Sequence, residues 1–122
     1  MKKILIVDDD VDIIDLVVNR LKKNNYDVVY AKDGDSGIKT ALTEKPDLII
    51  MDILMPTMQG GEAAKLLKSY DITKNIPILF FTALQTNTEF DKVNVNGEFY
   101  PSISKPFDPN KLLSAIKSLL DE

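Results

Sequence analysis

Apolar runs alternate with amphipathic stretches along the whole chain. Ile4 to Val7 is a continuous apolar run and predicts a first strand. Ile14, Val17, Val18 and Leu21 then recur at helical spacing, which predicts a helix from about Val11 to Lys23, ended by Asn24 and Asn25. Val28 to Ala31 predicts a second strand, with Asp33-Gly34 as the turn after it. A second helix carries Ile38, Ala41 and Leu42 and stops before Pro46.

Leu48, Ile49, Ile50 and Met51 are apolar at every position and end on Asp52, between Pro46 and Pro56. So short a run suits a strand buried on both faces, as in a parallel sheet. An unpaired charge is not tolerated inside such a strand, so Asp52 is expected where the strand emerges, at its C-terminal edge. Gly60 and Gly61 lead into a third helix, with Ala63, Leu66, Leu67 and Tyr70 toward the core. Pro77 precedes a fourth strand, Ile78 to Phe81. Alternation then asks for a helix over Glu89 to Val95, although Asn87, Asn94, Asn96 and Gly97 are poor helix formers. A short fifth strand is expected near Ser102 to Ser104. Asp108 should N-cap a last helix with Pro109 at its first position and Leu112, Leu113, Ile116, Leu119 and Leu120 as its apolar stripe. Five such βα units predict an α/β, doubly wound, three-layer fold: helices on both faces of one parallel sheet, as a single domain over residues 1–122.

Composition narrows the chemistry. The apolar fraction is 44% and the charged fraction 28%, which suits a core with a solvated surface. The net charge of −4 argues against a direct nucleic-acid surface. There is no Cys, hence no disulfide and no thiolate zinc site, and no His, the commonest general base and metal ligand. Carboxylates, hydroxyls and lysines must carry any chemistry. The apolar run after Lys2 and Lys3 is too short for a signal peptide or membrane span, so a cytoplasmic location without membrane association is expected.

Asp8, Asp9 and Asp10 follow the first strand directly. If strands one and three are neighbours, two of these carboxylates face Asp52 across one crevice, and like charges so close call for a cation. Oxygen donors without His or Cys select Mg²⁺, or alternatively Mn²⁺. One aspartate, Asp10, can serve instead as the cap of the first helix. An EF-hand would need Gly at Ile13 and Glu at Asn19, and Gly34 to Thr40 lacks the Gly-Lys pair of a P-loop. Thr82 ends strand four and Lys105 ends strand five, at the same sheet edge.

With Asp8 and Asp9 in ILIVDDD, Asp52 in MDILMP, Gly60 after it, Thr82 in FFTAL and Lys105 in SKPF, the chain resembles the receiver domain of two-component response regulators over essentially its whole length. The resemblance implies a flavodoxin-like strand order 2-1-3-4-5. It implies that Asp52 is the phosphoacceptor, that Asp9, Asp52 and the Leu54 carbonyl bind Mg²⁺ directly, and that Asp8 acts mainly through water. Thr82 would bond a phosphoryl oxygen and Lys105 would pair with the phosphoryl group, across a cis Lys105-Pro106 bond. The implied partners are a sensor histidine kinase or histidine phosphotransfer protein and a downstream protein target, with the chain a monomer or weak dimer. It would not be an enzyme beyond its own phosphorylation and slow dephosphorylation. The resemblance also implies that Leu54 and Leu84, both apolar, fill the two positions that flank the approach to Asp52, so slow hydrolysis of the aspartyl phosphate is expected. A phosphohydrolase of the haloacid-dehalogenase type would need Thr or Val where Asp12 stands. A pseudo-receiver, a binding module that is not phosphorylated, is the alternative. One departure bears on output: Ser102 fills the position where the family usually has an aromatic, with Phe99 and Tyr100 as nearby candidates to replace it.

Overall fold

The computed structural model describes residues 1–55, 58–82, 92–105 and 107–121. The fully apolar runs become the middle of a sheet. The strands are β1 (Lys3–Val7), β2 (Asp27–Ala31), β3 (Leu48–Asp52), β4 (Ile78–Thr82), β5 (Lys92–Val95) and β6 (Glu98–Ser104), in the order β2-β1-β3-β4-β6-β5. The pairs β2–β1, β1–β3, β3–β4 and β4–β6 are parallel. β6 is thus the expected fifth parallel strand, and the order 2-1-3-4-5 holds for the parallel part of the sheet. Every residue of β3 and β4 is buried, as strands covered on both faces require.

Helices α1 (Val11–Lys23), α2 (Gly34–Glu44), α3 (Gly60–Ser69) and α4 (Pro109–Leu119) cover the two faces. Alternate strand residues feed separate cores. Leu5, Val7, Ile49, Met51, Ile78 and Phe80 pack with Ile38 and Ala41 of α2 and Ala63, Ala64 and Leu67 of α3. Ile4, Ile6, Leu48, Ile50, Leu79, Phe81 and Ile103 pack with Ile14, Val17 and Leu21 of α1 and Leu112 and Ile116 of α4. Asp10 caps α1 by accepting from the N–H groups of Asp12 and Ile13, and Asp108 caps α4 by accepting from Asn110 N–H, with Pro109 in the first turn.

Two expectations are corrected. On α3 the buried stripe is Gly60, Ala63, Ala64 and Leu67, whereas Leu66 and Tyr70 are exposed. The helix is turned so that its small residues face the sheet, and Leu66 lies on the flank. Tyr70 is the C-cap residue, already in extended geometry.

The second correction lies between β4 and the fifth parallel strand. Of the helix expected over Glu89 to Val95, Lys92–Val95 is instead β5, antiparallel to β6, and residues 89–91 fall outside the described residues. The cause is local. Asn96 (φ 56°) and Gly97 (φ 83°) both take left-handed conformations, as a two-residue turn of the mirror-image type demands. Val93 and Val95 alternate with polar residues before the turn, which is the period of a strand.

Candidate functional site

Strand register brings the polar strand ends together. Val7 is level with Met51, Asp52 with Phe81, and Thr82 with Ser104. Asp8, Asp52, Thr82 and Lys105 therefore emerge at one edge of the sheet, where open α/β sheets hold ligands. One oxygen each from Asp8, Asp9 and Asp52 lie within 4.8 Å of one another. Asp8 is fully buried, Asp52 is 6% exposed, and Asp9 is exposed.

Lys105 joins these carboxylates. Its Nζ lies 2.8 Å from Asp8 Oδ2 and 3.1 Å from Asp52 Oδ2. The opposite oxygens are held by backbone: Asp10 N–H donates to Asp8 Oδ1 (2.9 Å) and Leu54 N–H to Asp52 Oδ1 (3.2 Å). The contact of Asp8 Oδ2 with Lys105 is close but poorly aligned, so this buried oxygen has an ion pair and no directed hydrogen bond. A buried carboxylate oxygen of this kind, beside two further carboxylates, has the donor chemistry a hard divalent cation takes. Asp8, Asp9 and Asp52 thus fit Mg²⁺, and Leu54 is placed beside them by its N–H contact to Asp52.

The charges are crowded. Burial pushes the Asp52 carboxyl above the ordinary carboxylate range and Asp8 adds to this, while Lys105 and the Leu54 N–H oppose it. For Lys105, burial alone would favour the neutral amine, yet Asp8 and Asp52 together carry it above the ordinary lysine value. The lysine is aimed from both sides of its backbone. Its N–H donates to the Thr82 carbonyl (2.8 Å), and Phe107, two residues on, stacks on Phe81 with ring centres 5.6 Å apart. Thr82 is buried beside this junction.

Gly60 closes the site from below. A Cβ at this position would collide with the Asp52 carbonyl oxygen, and Gly60 N–H donates to the Ile53 carbonyl (2.8 Å). Only a residue without a side chain allows α3 to start so close to β3.

The structure also locates the residues left open by the sequence. Ser102 is buried and level with Phe80. Phe99 is 72% exposed. Tyr100 is buried edge-on against Phe80, with ring centres 5.2 Å apart, and its hydroxyl donates to Glu98 (3.2 Å). It sits four residues before Ser104, which is the partner of Thr82, or about 13 Å along the strand. Neither ring stands at the Thr82 level. Leu54 is half exposed, while Leu84 and Pro106, with the expected cis bond, lie outside the described residues. Reasoning from sequence did not find the Lys105–Asp8 ion pair or any role for Asn96, whose side-chain N–H donates to the Gly61 carbonyl (2.8 Å). The Asn96-Gly97 pair was the available signal for the second.

Among known proteins, a family model described as "Response regulator receiver domain" matches residues 4–117. The alkaline phosphatase synthesis transcriptional regulatory protein PhoP of Bacillus subtilis is 39% identical over 98% of this chain and 48% of its own length. The DNA-binding dual master transcriptional regulator RpaA of Synechocystis is 36% identical over 98% of this chain and 49% of its own length. The chain therefore spans about half the length of these relatives. The chemotaxis protein CheY4 of Vibrio cholerae superposes with a TM-score of 0.85 at 32% identity, covering 98% of this chain and 99% of that one. No helix among the described residues is long and apolar enough to cross a membrane.

Proposed function

The chain belongs to the response regulator receiver domain family, a family of signalling domains in two-component systems, and from that premise we propose that Asp52 accepts a phosphoryl group from a phosphohistidine on a partner protein. The observation that carries this reading is the position of Lys105, whose ammonium touches Asp8 and Asp52 at the edge where three carboxylates converge. In the reaction an Asp52 oxygen forms a bond to phosphorus, the bond from phosphorus to the donor imidazole nitrogen breaks, and the nitrogen takes up a proton. The donor imidazole lies outside these 122 residues, which contain no His.

Each residue has a part. Asp52 is the nucleophile, held by Leu54 N–H on one oxygen and Lys105 on the other. Lys105 can follow the transferred oxygens and offset their charge. The Thr82 side chain meets a phosphoryl oxygen. Asp8, Asp9 and Asp52, with the Leu54 carbonyl, would hold Mg²⁺, which would supply charge stabilisation at the phosphoryl oxygens. The product adds about −1.5 to −2 charge at one point. A protein-binding surface then changes its affinity for a downstream protein target. The kinase and target are proteins on this reading; the DNA-binding role in the name of RpaA belongs to that longer relative.

The test is incubation with acetyl phosphate and Mg²⁺, read by intact mass. One phosphate adduct is expected, lost in Asp52→Asn and on chelation of the metal. No adduct in the unaltered chain would reject this reading in favour of a binding module that is not phosphorylated.

A further inference from the structure

The β5–β6 hairpin is fastened to the Asp52 site at both ends. At its root, β6 runs into Lys105, the residue between Asp8 and Asp52. At its tip, Asn96 Nδ2 donates to the carbonyl of Gly61 (2.8 Å), 35 residues away in sequence. Val95, next to it, is buried, and a Cβ at Gly61 would lie 3.1 Å from Val95 Cγ1. Gly61 is the second residue of α3, and the first, Gly60, lies against the backbone of Asp52 and Ile53. Two glycines therefore stand between the Asp52 carbonyl and the hairpin tip, where side chains would crowd Asp52 on one side and Val95 on the other.

The identity of residue 96 separates the turn from the contact it makes. A left-handed residue in this turn is satisfied by Asn, Asp or Gly. Of these, only Asn has a side-chain N–H to give to Gly61. The turn alone does not require Asn96; the contact with α3 does.

We infer that Asn96 is a positioning residue for the Asp52 site: the hairpin tip fixes the first turn of α3 and, through Gly60, the backbone of Asp52 and Ile53. Because coupling between two places is reciprocal, a ligand at Asp52 also acts on the hairpin tip. The tip is then where the state of Asp52 reaches the surface, along α3 rather than through an aromatic ring beside Thr82. This rests on the reading of Asp52 and its carboxylate neighbours as the phosphoryl and Mg²⁺ site.

The experiment uses the full chain labelled with ¹⁵N, titrated with Mg²⁺ and then with beryllofluoride as a phosphoryl mimic. In the unaltered chain the amide signals of Leu54 and Gly60 and those of Asn96 and Gly97 should shift together. In Asn96→Gly and Asn96→Asp the signals of Leu54 and Gly60 should still respond, while the Gly97 response falls by at least half. Mg²⁺ affinity should fall by about 2–10-fold, the size of one ordinary hydrogen bond. Gly61→Ala, which crowds Val95, should weaken Mg²⁺ binding in the same way, and adding Val95→Ala should restore it. Thermal unfolding monitors the fold, and a purely structural Asn96 would lower the melting temperature with no change in Mg²⁺ affinity. That result, or a hairpin tip that stays still while Leu54 responds, overturns the inference. If Leu54 responds to neither ligand, the reading of the site itself fails and takes the inference with it.

Discussion

Asp52 is 6% exposed and shares its lysine with a second carboxylate, so its charge is held where it is disfavoured. Burial first, then Asp8, raises its pKa above the ordinary 3.8, and the sign of the consequence is fixed. Below 3.8 the folded and unfolded chains are both protonated, and Asp52 has no effect on stability. As pH rises through the window up to the raised folded value, the unfolded chain ionises first and stability is lost. Asp52→Asn should therefore raise the melting temperature in metal-free buffer at pH 7, by roughly 1–5 °C at about 4 °C per kcal/mol. The gain should shrink as pH falls toward 3.8, and scanning calorimetry across pH would detect a gain that instead persists there. Lys105 makes the opposite case. Lys105→Met leaves Asp8 and Asp52 facing each other without compensation, and a loss of about 3 kcal/mol is expected in the absence of metal. Saturating Mg²⁺ should recover part of it; denaturant melts with and without the ion measure both.

At the level of elements, what the sequence revealed followed from how local each cause was. The runs Ile4–Val7, Leu48–Met51 and Ile78–Phe81 have no polar face, so only a doubly covered strand fits them, and α1 occupies Val11–Lys23 as its period requires. Asp8 and Asp52 are legible because each closes such a strand, whereas Lys105 follows the partly polar β6 and is legible through its place in SKPF. The phase of α3 was not, since Ala63 and Ala64 are weak hydrophobic signals and the larger Leu66 draws the eye to the wrong face. The β5–β6 hairpin departs from the repeating βα order because the backbone preference of Asn96-Gly97 is stronger than that pattern. The start of α3 offers a direct check on close packing. Gly60→Ala would drive a methyl group into the Asp52 carbonyl, at a cost of roughly 1–3 kcal/mol measured by urea unfolding, with Mg²⁺ binding weakened as the backbone of Asp52 and Ile53 shifts.

Across the whole molecule the sheet is attached unevenly. β3 sits between β1 and β4, buried at every residue, whereas β6 meets β4 in three register pairs, Phe80 with Ser102, Phe81 with Ile103 and Thr82 with Ser104. The β5–β6 hairpin extends beyond that short pairing, and the described contact at its far end is the Asn96–Gly61 bond with Val95 beside it.

Uneven attachment implies an order of opening. Amide hydrogens of Ile49, Ile50 and Met51 should exchange with solvent deuterium only when the entire chain unfolds, with a free energy that falls steeply in denaturant. Those of the β5–β6 ladder, Val93 to Tyr100, should exchange through a smaller excursion that frees the hairpin and leaves the remaining strands paired, nearly independent of denaturant. Native-state exchange followed residue by residue would separate the two, and one common free energy and slope for both groups would contradict it. A protein that opens in this order offers a partner the hairpin as an element already able to detach, while the strands that bear the carboxylates keep time on a far slower scale.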